Sequence, residues 1–279
     1  MTTLSTLLLL FVATGCGAGF LAGLLGVGGG LVVVPVLSMG LTAAGLSRDV
    51  VVHLAVGTSL ASIAVTSLSS MRAHHRHGAV RWEVARTLAP SVALGALTGA
   101  AIARGLPTDV LRLCVALFAL TVAARLGLGL GEKPTAPQLP RIPETAGIPG
   151  AAESPVQPAA GLLIGGLSAL VGIGGGTLTV PYLLRRGLSM HQAVATSAAC
   201  GLPIALAGSA GFILFGWGDP ALPSGSFGFV YVPALVIIST ASMLFAPLGA
   251  KAAHALPARA LKRWFALVVG VMGIAMLAH

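Results

Sequence analysis

Gly172-Ile173-Gly174-Gly175-Gly176-Thr177-Leu178-Thr179-Val180-Pro181 stands inside an apolar stretch long enough to enter a membrane. An earlier stretch, Gly26-Val27-Gly28-Gly29-Gly30 leading to Pro35, has the same form. The match runs upstream to Gly19 and Gly165. Downstream, His53-Leu54-Ala55-Val56-Gly57-Thr58-Ser59 reads against His191-Gln192-Ala193-Val194-Ala195-Thr196-Ser197. Two strings repeated in the same order imply an internal duplication. Glycine-broken apolar segments at matching places in two halves point to the binding site of a transporter.

Hydrophobic residues make up 56% of the chain and charged residues 8%. A soluble domain carries about 25% charge, so this chain cannot build a water-facing surface of ordinary size. Apolar runs of about 20 residues, enough for a membrane-spanning helix, recur along the chain. They are continuous rather than alternating, which favours helices over strands. The expected fold is an all-α polytopic membrane protein. It has two homologous helical repeats, inverted relative to one another, each beginning with a glycine-broken segment.

The repeats are expected at 1–130 and 158–279. A Pro- and Gly-rich stretch at 131–157 reads as a flexible linker. Broken segments are expected at 4–39 and 158–185. Helices are expected at 50–70, 84–103, 108–130, 191–215, 227–248 and 258–278, with Pro107 and Pro257 in first-turn positions. Residues 1–25 read as structure rather than a leader, because no Lys or Arg precedes the apolar core.

The net charge of +9 fits basic loops that set topology and hold anionic lipid. No soluble basic domain is evident to bind nucleic acid. Arg72, Arg76, Arg81 and Arg86 crowd the loop at 71–86. Arg185 and Arg186 mark a second loop. Lys251, Arg259, Lys262 and Arg263 mark a third, at 249–263. These three should face the cytoplasm, and the bare loop at 216–226 should not. The heavy loop of the first half then matches the bare loop of the second. Inversion requires that each broken segment dips in and returns, or counts as two short crossings; a single crossing would exclude it.

At each triplet, glycines end one helix and allow backbone angles closed to other residues. A second helix can start near Leu31 or Thr177. Its first N–H groups lack intrahelical partners and carry the positive end of the helix dipole. That makes an anion site without a charged side chain. Pro35 and Pro181 free the carbonyls of Leu31 and Thr177. Gly28, Gly29, Gly30, Leu31, Pro35, Gly174, Gly175, Gly176, Thr177 and Pro181 are thus candidate substrate contacts. The plainer reading is close helix packing, as expected of Gly15, Gly19 and Gly23.

Thr58, Ser59, Thr196 and Ser197 are further candidates, since hydroxyls can donate to an anion. They can equally bond their own helices, as can Ser62 and Thr66 on the same face. His53 and His191 are candidates for coupling or gating, or for simple capping. His74, His75 and His77 sit among arginines, which disfavours a metal there; no metal or cofactor is expected. Cys16, Cys114 and Cys200 read as buried free thiols. No Asp or Glu stands in the middle of an apolar run, which argues against a cation or proton path.

With the residues read, a resemblance is plain. Two copies of an apolar segment running into G-x-G-G-G-x4-P, around a central linker, resemble the TauE/SafE family of sulfite exporter-like permeases. The resemblance covers nearly the whole chain. It implies a secondary transporter of the bacterial inner membrane that exports small sulfur-containing or organic anions. It also implies that Gly26 to Gly30 with Pro35, and Gly172 to Gly176 with Pro181, lie on the substrate path. A transporter of a metal or neutral solute, or a membrane-integral enzyme, is the alternative. The expected partners are a small anion and the lipid bilayer. The oligomeric state stays open, a homodimer included.

Overall fold

The computed structural model describes residues 2–25, 29–76, 78–129, 157–255 and 258–278. The expected linker, apart from Gln157, lies outside the described residues, as do Gly26, Gly28, His77 and Pro257.

Among the described residues there are ten helices and one short hairpin. The first half holds α1 (Thr2–Leu25), α2 (Gly30–Ala43), α3 (Arg48–Arg76), α4 (Trp82–Gly105) and α5 (Thr108–Gly127). The second holds α6 (Pro158–Val171), α7 (Gly176–Arg185) and α8 (Met190–Phe215). The hairpin strands β1 (Ser226–Phe227) and β2 (Val230–Tyr231) come next, then α9 (Val232–Ala255) and α10 (Ala258–Ala278). Stretches in α1, α3, α4, α5, α8 and α9 are long and apolar enough to cross a membrane. The chain is thus a multi-pass membrane protein of the all-α class, with one short hairpin, as its composition requires.

Each broken segment folds back on itself. Leu10 on α1 lies against Gly40 on α2, and Ala18 lies against Gly29. In the second half, the backbone N–H of Gln157, just before α6, donates to the Tyr182 hydroxyl near the end of α7 at 3.4 Å. Both α1–α2 and α6–α7 are therefore helical hairpins that turn back at the glycines.

The halves interlock. α1 runs along α9, α6 along α4, and α5 along α10, while α3 packs on α8. Small residues permit the closest of these contacts, because a missing side chain lets backbones approach. Gly15 rests on Ile238 and Ala241, and Gly19 on the backbone of Ser242. Gly165 meets the backbone of Val92, Gly95 that of Leu162, and Gly99 that of Gly166. The packing role expected for Gly15 and Gly19 is thus seen. The apolar window of α3 is 72% buried, against 28% for α5. α3 is accordingly a central element, and α5 turns leucines such as Leu113 and Leu117 outward.

Three boundaries differ from the expectation. The helix expected from residue 227 starts at Val232, because residues 226–231 form the hairpin. Gly228, with φ of +54°, opens its two-residue turn, where a first-position glycine matches the strand twist. Pro107 is the residue before α5 rather than its first. Finally, α3 runs on to Arg76 and α4 begins at Trp82, so Arg72, Arg76 and Arg86 are helical.

Candidate functional site

The two glycine breaks meet each other midway along α3 and α8. A Cβ at Gly30 would stand 2.5 Å from the Gly172 carbonyl oxygen and 3.0 Å from Cα of Ile173. Gly172 faces Val34 of α2 and Val56 of α3, and Gly174 faces Ile63 of α3. Gly175 faces Ile204 and Gly201 of α8. The Ser59 hydroxyl donates to the Gly172 carbonyl at 2.7 Å, tying α3 to the second break.

Each break leads into a helix start. In α2 the N–H groups of Val32 and Val33 both bond the Gly29 carbonyl, at 3.0 Å each. In α7 those of Leu178 and Thr179 bond the Gly175 carbonyl, at 3.3 and 2.7 Å. The N–H groups of Gly30, Leu31, Gly176 and Thr177 precede the first intrahelical bond. Both helices continue through their prolines, Pro35 and Pro181. Neither proline has an N–H to bond the carbonyl four residues back.

The reason for the glycines differs from the one expected. Among the described glycines of the breaks, only Gly172 has positive φ, at +72°. It closes α6 in a left-handed cap, with the Ile173 N–H on the Ser168 carbonyl at 3.0 Å. Gly29 and Gly175 have φ of −73° and −55°, open to any residue. What they lack is room. A Cβ at Gly29 would stand 2.7 Å from that of Ala18, and one at Gly175 2.8 Å from Cδ1 of Ile204. Gly28 lies outside the described residues.

The threonine pair has matched partners. The buried Thr58 hydroxyl accepts from the Tyr231 N–H at 2.9 Å, just ahead of α9. The buried Thr196 hydroxyl accepts from the Arg81 N–H at 3.1 Å, just ahead of α4. Each threonine thus holds the start of a helix from the other half. An accepting hydroxyl still has its own hydrogen to donate. Ser197 donates to the Val194 carbonyl of its own helix at 2.8 Å, and Thr66 likewise bonds its own helix.

Three hydroxyl oxygens near the second break are buried without a hydrogen-bond partner: those of Ser168, Thr177 and Thr179. Thr177 is among the residues expected at the site, and Ser168 and Thr179 are not. The signal was present in the Thr-x-Thr of the second motif, which stands where the first has Leu31 and Val33.

The histidine pair separates. His53 is buried in α3, and its Nε2 lies 2.9 Å from the Ala103 carbonyl. A carbonyl only accepts, so Nε2 carries the proton. The Nδ1 lies 3.5 Å from the Thr108 hydroxyl, which donates to the Asp49 carbonyl. His191 is exposed in the first turn of α8, where Ser189 and Gln192 form a capping box.

His53 lines a cavity of about 640 Å³ with Arg48, Asp49, Arg104, Asp219 and Phe229. Phe229 sits at the hairpin tip, 3% exposed. Its ring lies 5.1 Å from that of His53, and the Arg104 guanidinium stands 5.9 Å over it. The Phe229 N–H donates to the Phe212 carbonyl at 3.1 Å, and its own carbonyl rests on Gly57. Arg104 and Asp219 form an ion pair at 3.7 Å. This hairpin is not among the expected elements; its signal in the sequence is the alternating aromatics Phe227, Phe229 and Tyr231 around Gly228. Among the described residues no group of His, Cys, Asp and Glu could hold a metal ion.

Residues 11–276 match the family model described as Sulfite exporter TauE/SafE. A protein of Haemophilus influenzae named "Probable membrane transporter protein" is 35% identical over 97% of this chain and 98% of its own. The Bacillus subtilis protein YdhB, of the same description, is 27% identical over 93% and 96%. MJ0441 of Methanocaldococcus jannaschii, also so described, is 25% identical over 97% and 96%. No solved structure matches the chain.

Proposed function

We propose that this chain, which belongs to the sulfite exporter TauE/SafE family and is a multi-pass membrane transporter, exports a small sulfur-containing or organic anion across the bacterial inner membrane. The observation that carries this reading is the meeting of the two glycine breaks beside the middles of α3 and α8. The start of α2 lies against Gly172 and Ile173, just ahead of the start of α7, and the first N–H groups of each helix lack intrahelical partners. No Lys, Arg, Asp or Glu stands on α3 between Val50 and Met71, on α8, or within the breaks. A cation would find no counter-charge there. An anion finds N–H and O–H donors.

The two halves act as inverted repeats in this reading. It is supported by the matched pairings of α1 with α9 and α6 with α4, and by the matched roles of Thr58 and Thr196. A break that returns to its own side, with three crossings after it, gives each half an odd number. Access alternates as one half rocks against the other. The hairpin closes one route: Phe229 stands between the His53 cavity and the breaks deeper along α3. His53 then serves that gate, while the exposed His191 has no equivalent part.

Purified protein in liposomes tests the reading. Sulfite or an organosulfonate such as sulfoacetate, loaded inside, should leave faster than from protein-free liposomes. Equal rates for every such anion would refute the assignment.

A further inference from the structure

The two breaks share their glycines and proline but differ in the residues between. Gly30-Leu31-Val32-Val33 opens α2, and Gly176-Thr177-Leu178-Thr179 opens α7. Leu31 and Val33 are buried and apolar. Thr179 is fully buried, and its hydroxyl oxygen has no partner. That oxygen lies 3.1 Å from where a Cβ on Gly175 would stand, so it is aimed at the start of its own helix. The Thr177 hydroxyl oxygen is likewise buried and unpartnered. So is that of Ser168, one turn before the break on α6 and itself fully buried. A buried hydroxyl left without a partner costs free energy, so a break that has three of them between residues 168 and 179, one aimed at the start of its own helix, has a use for them.

We propose that the anion is held by the second break alone. The first N–H groups of α7 and the hydroxyls of Thr177, Thr179 and Ser168 form its pocket. The apolar start of α2 packs against it and excludes water. The inference rests on the reading that the breaks bind substrate, and it adds a charge class. A helix N-terminus supplies about half a positive charge. No cationic side chain stands on α2, on α3 between Val50 and Met71, on α6 or on α8, and the one on α7, Arg185, is at its far end. Such a pocket supplies less positive charge than even one anionic group carries, so it holds a monoanion at a lower cost than a dianion. Several donors around one point also suit a group with several acceptor oxygens. The ligand is therefore a monoanionic sulfonate-type group.

Methanesulfonate, a monoanion, and sulfate, a dianion of similar shape, are the probes. Binding to the purified full chain is measured by calorimetry, with melting temperature as the check on folding. The wild type should prefer methanesulfonate by at least about tenfold. Thr179→Val keeps the shape and removes the donor, and should weaken methanesulfonate binding by about tenfold or more. Thr179→Ser should retain most of the affinity. Ser239→Ala, which removes a buried and unpartnered hydroxyl on α9 away from the breaks, should leave affinity within about twofold of wild type. Should Thr179→Val fail to fold, Thr177→Val at the less enclosed neighbour carries the same expectation. Wild-type binding unchanged in Thr179→Val and Thr177→Val would overturn the inference and leave the transport reading standing. Sulfate bound as well as methanesulfonate would overturn the charge class. Binding of neither probe by the folded wild type would overturn the transport reading itself.

Discussion

Gly30→Leu should abolish anion flux while much of the protein still folds. The new side chain would enter the space of the Gly172 carbonyl and the Ile173 backbone. Backbone cannot swing aside as a flexible side chain can, so the second break must move. Overpacking of this kind costs about 1–3 kcal/mol, within what a folded domain can usually survive. A site that must hold several donors on one anion is lost by a shift of about 1 Å. Gly17→Leu is the comparison, because nothing lies within 4 Å of that position. Flux per folded molecule, with folding judged by gel filtration and melting, should fall to background for Gly30→Leu and stay near wild type for Gly17→Leu. Normal flux per folded molecule in Gly30→Leu would leave the breaks with a packing role only.

Phe229→Ala should both destabilise the protein and open it. The ring is enclosed by His53, Phe212 and Arg104, and loss of a buried phenyl group costs about 3–5 kcal/mol. Thr58 and Phe212 hold the hairpin backbone by bonds that do not involve the ring. The hairpin should therefore stay in place with a hole where its plug was. A thiol reagent added from the hairpin side should then reach a cysteine at Ser59 much faster than in the parent. Equal labelling rates with and without the phenyl group would remove Phe229 as a gate.

Much of the fold was legible because the bilayer limits the choices. Long apolar runs without alternation permit helices and little else, and the breaks announced themselves by composition. The return of each broken segment was not legible. It rests on contacts such as Leu10 with Gly40 and Gln157 with Tyr182, which are distant in sequence. The hairpin was missed because its strands are two residues each and adjoin a helix with the same apolar character. The site was legible as motifs but not as roles. Glycine reads the same whether it supplies an angle, as Gly172 does, or room, as Gly30 does. Thr58 and Thr196 read as donors toward a ligand, and the structure gives them backbone N–H groups to accept from. Thr179 was passed over because the two halves were matched on what they share, and Thr179 is where they differ.

In the proposed mechanism an anion sits where the breaks meet. Gly174→Cys places a thiol there once the Ile63 side chain gives slightly, since the nearest atom to its Cβ is Cγ2 of Ile63 at 3.3 Å. With Cys16, Cys114 and Cys200 replaced by alanine, the rate of N-ethylmaleimide labelling reports access to the site. Methanesulfonate at saturating concentration should slow labelling by at least about tenfold, and an equal ionic strength of chloride should not. A labelling rate indifferent to methanesulfonate, in protein that still transports it, would mean that no anion sits at the breaks.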